Sequence, residues 1–143
     1  MKFSCERDLL MREIQTAQEI ISSRNALSIL SNVLLQAEGE QLAIRATDLK
    51  VGFETGLAVD VSDPGVVTVY CEKLLSILRA LPEGEVEFAV EDNSSFVIRP
   101  RFKKIDFRLK SISDNVTEMI IDVGTFGEKR KAQMIFQKIS ERL

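Results

Sequence analysis

Residues 32–59 read NVLLQAEGEQLAIRATDLKVGFETGLAV, and their pattern decides the fold. Apolar and polar residues alternate one by one over 41–47, and the alternation resumes over 51–59. A period of two is typical of a strand with one buried face. Polar breaks at 39–40 and 48–50 supply the turns. The stretch therefore predicts three strands of an antiparallel meander, over 32–38, 41–47 and 51–59.

Two helices flank this meander. Residues 8–22 begin at a candidate capping aspartate, Asp8, and carry apolar residues at the spacing of one helix face. A second helix is predicted over Glu72–Leu81, where leucines form the apolar stripe and Pro82-Glu83-Gly84 ends the helix. Each stripe is wide enough to pack on a sheet. The two stripes are Leu10, Ile14, Ala17 and Ile21, and Leu74, Leu75, Leu78 and Leu81.

Further strand patterns complete the sheet. They lie at 2–6, 66–70, 85–90, 96–99 and 105–109, separated by turn-forming residues such as those of Asp63-Pro64-Gly65. The predicted fold is α+β, with two helices packed on one face of an antiparallel sheet of about eight strands. The chain divides into a domain over 1–112 and a divergent basic tail over 113–143.

The composition excludes several kinds of enzyme. The 143 residues include no histidine and no tryptophan, and no glycine-rich phosphate loop occurs. Catalysis by Ser-His or Cys-His pairs and His-ligated zinc are therefore ruled out. Cys5 and Cys71 are predicted to be buried free thiols. The acidic pairs Asp60/Asp63 and Glu91/Asp92 fall at predicted turns, so no catalytic residue, metal or cofactor is expected.

No apolar run approaches the ~20 residues that span a membrane, and the N-terminus lacks an apolar signal core. The chain is therefore expected to be cytoplasmic, without a membrane partner.

Charge is distributed unevenly along the chain. Residues 1–98 contain 8 basic and 16 acidic residues, whereas residues 99–143 contain 11 basic and 6 acidic residues. Charge alone leaves two interpretations open, a solvated basic surface and a site for a partner. The densest basic stretch consists of Arg99, Arg101, Lys103, Lys104, Arg108 and Lys110.

Several separated motifs resemble one protein family. They are MKFSCERDLL at 1–10, SSR at 22–24, LSILSNVLLQAEGEQLAIRATDLKVGFET at 27–55 and KLLSILRALPEGEVE at 73–87. In this order and spacing they are similar to the N-terminal domain of the bacterial sliding clamp, the DNA polymerase III beta subunit. The resemblance covers residues 1 to about 112. It implies a DNA replication processivity factor without catalytic activity, built from three such domains per protomer and two protomers per ring around double-stranded DNA.

The resemblance also implies a DNA-binding surface, because the family's helices line the DNA channel. Arg24 matches the family's loop arginine that approaches DNA. The other candidate phosphate contacts are Arg7 and Arg12 on or beside the first helix, and Lys73 and Arg79 on the second. For each of them an ordinary solvated surface residue is the alternative interpretation. Glu72 stands where a basic or neutral residue is expected, which weakens the local attraction to DNA.

A second implied surface closes the ring. In the family, the outer end of the second helix and the strand region near residue 103 contact the neighbouring protomer. Lys73, Ile77, Lys103 and Lys104 are the candidates, and lysines that protect an exposed sheet edge are the alternative. The family's pocket for polymerase and clamp-loader peptides lies in later domains, so it is not expected in this chain.

The resemblance ends in the tail. Residues 127–143 read GEKRKAQMIFQKISERL, which predicts a basic amphipathic helix with Met134, Ile135, Ile139 and Leu143 on one face. Two interpretations stay open, a truncated clamp gene product and a stand-alone relative. A six-copy ring is a further hypothesis. The alternative function is a protein-interaction module that binds a clamp or another acidic protein without encircling DNA.

Overall fold

The structure is a computed structural model that describes residues 1–21, 28–92, 95–101, 105–113, 116–125 and 128–137. Over these residues the chain forms two α-helices, one short 3-10 helix at Ser28–Ser31 and eleven strands. The helices are α1 (Arg7–Ile20) and α2 (Cys71–Ala80). The strands are β1 (Lys2–Glu6), β2 (Asn32–Glu38), β3 (Gln41–Thr47), β4 (Gly52–Ala58), β5 (Asp60–Asp63), β6 (Gly65–Tyr70), β7 (Glu85–Asp92), β8 (Ser95–Pro100), β9 (Ile105–Ser113), β10 (Val116–Thr125) and β11 (Glu128–Gln137).

The strands form two antiparallel sheets. One has seven strands in the order β11-β10-β9-β8-β7-β1-β5, and the other has four in the order β4-β3-β2-β6. The α+β class and the antiparallel pairing are confirmed. Up to Ser113 there are nine strands rather than about eight, because the predicted strand over 51–59 ends at Ala58. β4 pairs with β3, whereas β5 crosses to β1, so the chain changes sheets at Val59.

Both helices bury the faces that their spacing predicts. Leu10, Ile14 and Ala17 of α1 are buried, and so are Leu74, Leu75 and Leu78 of α2. The helices contact each other, and α1 also packs on β3 and β4. Asp8 lies within the first turn of α1 rather than at the cap, since the helix begins at Arg7 and Glu6 makes no side-chain capping bond. The apolar faces of the two helices therefore form one core with the four-stranded sheet.

Three stacked phenylalanines form the centre of the core on the seven-stranded sheet. The ring centroids of Phe3 and Phe88 lie 5.1 Å apart, and those of Phe88 and Phe96 lie 4.8 Å apart. The register pairs Phe3 of β1 with Phe88 of β7. Phe88 is completely buried. The middle ring thus joins side chains from three neighbouring strands.

The tail differs from the sequence prediction. Residues 116–125 and 128–137 form the hairpin β10–β11, not an amphipathic helix, and β10 pairs with β9. The helix prediction was wrong because short apolar runs fit both periods. The MIIDV run at 119–123 is rich in β-branched residues, which favour strands, and pairing on β9 satisfies backbone groups that an edge leaves open. Ile139 and Leu143 lie outside the described residues.

Candidate nucleic-acid interface

One exposed stripe runs along α1. Asp8, Arg12, Gln15 and Glu19 are exposed at intervals of three or four residues, so they share one helix face. The side chain of Arg12 is 70% exposed, and its Nε lies 4.0 Å from Glu13 Oε1. That distance leaves a loose ion pair, which contributes little and holds the guanidinium weakly. Arg12 is therefore available to a polyanion.

A second exposed stripe lies on α2 and consists of Glu72, Ser76 and Arg79. Lys73 flanks it and is half-buried. The hydroxyl of Tyr70 donates a hydrogen bond to Glu72 Oε2 at 3.1 Å, which holds the carboxylate beside the start of the helix. Burial raises the pKa of Tyr70 to about 12, and the negative charge of Glu72 raises it further. The tyrosine therefore stays a donor at neutral pH.

Arg7 is placed differently from the other candidates. Its guanidinium is 12% exposed and donates from Nη1 to the Leu81 carbonyl at 2.5 Å and from Nε to Asp8 Oδ1 at 2.9 Å. Its backbone N–H donates to the Gly84 carbonyl at 2.8 Å. The side chain thus joins the start of α1 to the end of α2. Arg7 is a link between the two helices rather than an open cation.

The remaining predicted residues fall into two groups. Arg24, Lys103 and Lys104 lie outside the described residues. Ile77 is 1% exposed and belongs to the core, so the prediction that its side chain contacts another protomer does not fit this structure. Position 77 lies between the buried Leu74 and Leu78 on the inner face of α2, and helical spacing therefore directs it inwards.

The electrostatics of the helices are balanced. Across α1 and α2 there are four basic and four acidic residues. Neither cysteine adds a reactive group, because burial raises the pKa of Cys5 and of Cys71 to about 12 and keeps both thiols protonated. Among the described residues, no group of three or more Cys, Asp or Glu side chains is arranged to hold a metal ion. The surface suits weak ionic contact rather than chemistry.

Sequence reasoning missed a groove on the outer face of the four-stranded sheet. Its volume is about 600 Å³, and Ile29, Leu34 and Phe53 supply apolar walls. Arg45 crosses it, bonded to Gln36 at 3.0 Å and to Glu54 at 3.1 Å. The strand alternation, which directs residues 34, 45 and 54 outward, was the available signal.

Comparison with known proteins identifies the family. The profile of the DNA polymerase III beta subunit, N-terminal domain, matches residues 1–116. The chain therefore belongs to this family. A beta sliding clamp from Treponema pallidum is 48% identical over 113 residues, which is 79% of this chain and 30% of that protein. The beta sliding clamp of Escherichia coli K12 is 38% identical over 92 residues, 64% of this chain and 25% of that protein.

Solved structures show the same fold. A Caulobacter crescentus beta sliding clamp aligns with a TM-score of 0.69 and 23% identity, covering 96% of this chain and 51% of that chain. A Helicobacter pylori beta clamp bound to a DNA ligase peptide aligns with a TM-score of 0.69 and 15% identity, covering 96% and 56%. The chain thus spans about a quarter to a third of the length of the two curated relatives.

Among the residues that the structure describes, no helix has both the length and the apolar character to cross a bilayer.

Proposed function

We propose that this chain is the DNA-facing N-terminal module of a sliding clamp, a cytoplasmic processivity factor of DNA replication that performs no chemistry. The observation that carries the proposal is the family match over residues 1–116, combined with two exposed arginines on the paired helices. Arg12 and Arg79 are the principal phosphate contacts. Lys73 at the side of α2 and Arg24 in the preceding loop add to them.

Charge balance on the helices supports a sliding role. Contacts to phosphates carry affinity without sequence information, and each neutralised phosphate makes the affinity salt-dependent. A surface with as many acidic as basic residues binds duplex DNA weakly, and Glu72 lowers the attraction beside Lys73. Weak contacts suit a protein that is held on DNA by topology and moves along it.

Removing Arg12 should therefore reduce DNA binding in a salt-dependent way. For Arg12→Ala we expect a slope of log Kd against log salt that is smaller by about 0.9, the value for one lost phosphate contact. Fluorescence anisotropy with a short labelled duplex at low ionic strength measures the slope. Arg12→Ala combined with Arg79→Ala should lose about twice as much.

Arg45→Ala is the matched control. It removes the same charge from a side chain that is 44% exposed, but from the outer face of the four-stranded sheet. Its slope should equal that of the unchanged protein. Equal slopes for Arg12→Ala and Arg45→Ala would show that the helices are not the DNA-facing surface.

Partners follow from the same proposal. Lys73, Lys103 and Lys104 contribute to contact with other clamp protomers, at the side of the module where α2 and the segment before β9 lie. Polymerase and clamp loader are partners of the assembled clamp, and we place their peptide pocket outside this chain. The double-stranded DNA is bound without sequence preference.

A second candidate function is a protein-interaction module that binds a clamp or another acidic protein. The hairpin that continues the sheet past residue 116 favours it, because the family match ends there. Retention on closed circular DNA separates the two functions. An encircling protein is retained on the circle and lost when the circle is cut, whereas equal retention on circular and linear DNA would favour the interaction module.

A further inference from the structure

The hairpin β10–β11 covers one complete edge of the seven-stranded sheet. β10 pairs with β9 from Val116 opposite Ser113 to Val123 opposite Ile105, which is the whole length of β9. β11 then pairs with β10 along its full length, so it becomes the outermost strand. On its other side β9 pairs with β8. Without the hairpin, β9 would therefore be the edge of the sheet.

An uncovered β9 would be a strong acceptor for another strand. Its nine residues carry a row of backbone N–H and C=O groups, and such a row pairs readily with a strand from another chain. Natural proteins protect long edges with charges, bulges, or covering elements. Here the covering element is a ten-residue strand in antiparallel register, supplied by the part of the chain that follows the family match.

We propose that the β10–β11 hairpin is an internal cap on β9, and that β9 pairs with a second copy of this chain when the cap is removed. The occupant is a second copy because it presents the same uncovered β9, and two such strands pair antiparallel about a twofold axis. The cap keeps the full chain monomeric. This inference goes beyond the proposed DNA role and concerns a different face of the molecule.

The test disrupts the cap in the full chain. Ile120→Pro and Ile121→Pro together remove two neighbouring N–H donors, one directed to each adjacent strand, because successive residues of a strand point to opposite sides. Size-exclusion chromatography with light scattering, without DNA, measures the mass. The unchanged chain should run at 16.1 kDa and the double variant at about twice that mass, increasingly so with concentration.

A chain that ends at Gln137 is the matched control. It lacks only residues 138–143, keeps both hairpin strands and should stay monomeric. A double variant that gives a native circular dichroism spectrum and remains at 16.1 kDa across the concentration range would overturn the proposal.

A second measurement decides the matter if the proline variant does not fold. A chain that ends at Ser113 keeps every described buried core side chain, since these lie between Phe3 and Leu109. It should associate, and a synthetic peptide of residues 116–137 should return it to a one-to-one complex. A folded 1–113 chain that stays monomeric and does not bind the peptide would contradict the cap. Neither result depends on DNA, so failure here is distinct from failure of the proposed function.

Discussion

Replacing Phe88 by alanine is expected to lower the free energy of unfolding by about 3–5 kcal/mol. The ring is fully buried and stacks on Phe3 at 5.1 Å and on Phe96 at 4.8 Å. Its removal takes away apolar burial and leaves a cavity between strands β1, β7 and β8, which paired strands cannot close by moving inward. Urea unfolding followed by far-ultraviolet circular dichroism measures the loss.

Two other variants give the prediction its controls. Phe88→Leu keeps most of the volume and should cost less, about 1–1.5 kcal/mol. Phe53→Ala removes the same ring from the edge strand β4, where the side chain is only half-buried, and should cost clearly less than Phe88→Ala. If Phe53→Ala and Phe88→Ala were equally destabilising, the stack of three rings would not be the centre of the core.

Replacing Arg7 by alanine is expected to destabilise the fold by about 1.5–3 kcal/mol while leaving the salt dependence of DNA binding unchanged. The guanidinium satisfies the Leu81 carbonyl just past the end of α2 and also pairs with Asp8 at the start of α1. Its removal leaves that carbonyl without this charged donor and loosens the contact between the helices. Urea unfolding and the anisotropy titration provide the two measurements.

Arg12→Ala is the natural comparison for Arg7→Ala. It lies on the same helix, removes the same charge and has a side chain that is 70% exposed. Its stability should change by no more than about 0.5 kcal/mol, whereas its salt slope should change. A reversal of this pattern, with Arg7 controlling DNA binding and Arg12 controlling stability, would refute the division of roles.

Local patterns predicted most of the fold. The alternation over 41–47 and the leucines of α2 encode their own buried faces, because burial of one face repeats with the period of the element. The split into two sheets was not predictable from such patterns. It depends on β5 pairing with β1, which lies some 60 residues earlier, and a four-residue strand has too few alternations to announce its partner.

The site was harder to predict for a similar reason. A basic residue near a helix start looks the same in sequence whether it faces solvent or a distant carbonyl. Arg7 contacts a carbonyl 74 residues away, and only the tertiary packing of α1 on α2 reveals it. The tail shows the opposite failure, since its short apolar run fits a helix and a strand equally well until the open side of β9 selects the strand.

The position of β1 inside the seven-stranded sheet has a consequence for synthesis. Phe3 is among the first residues to leave the ribosome, yet its register partner Phe88 follows 85 residues later. β1 must therefore remain unpaired on one side until β5 emerges and on the other until β7 emerges. Pairings between such distant segments slow the folding of a domain. The nascent chain consequently carries an apolar first strand that cannot complete its pairing until about two thirds of the protein has been made.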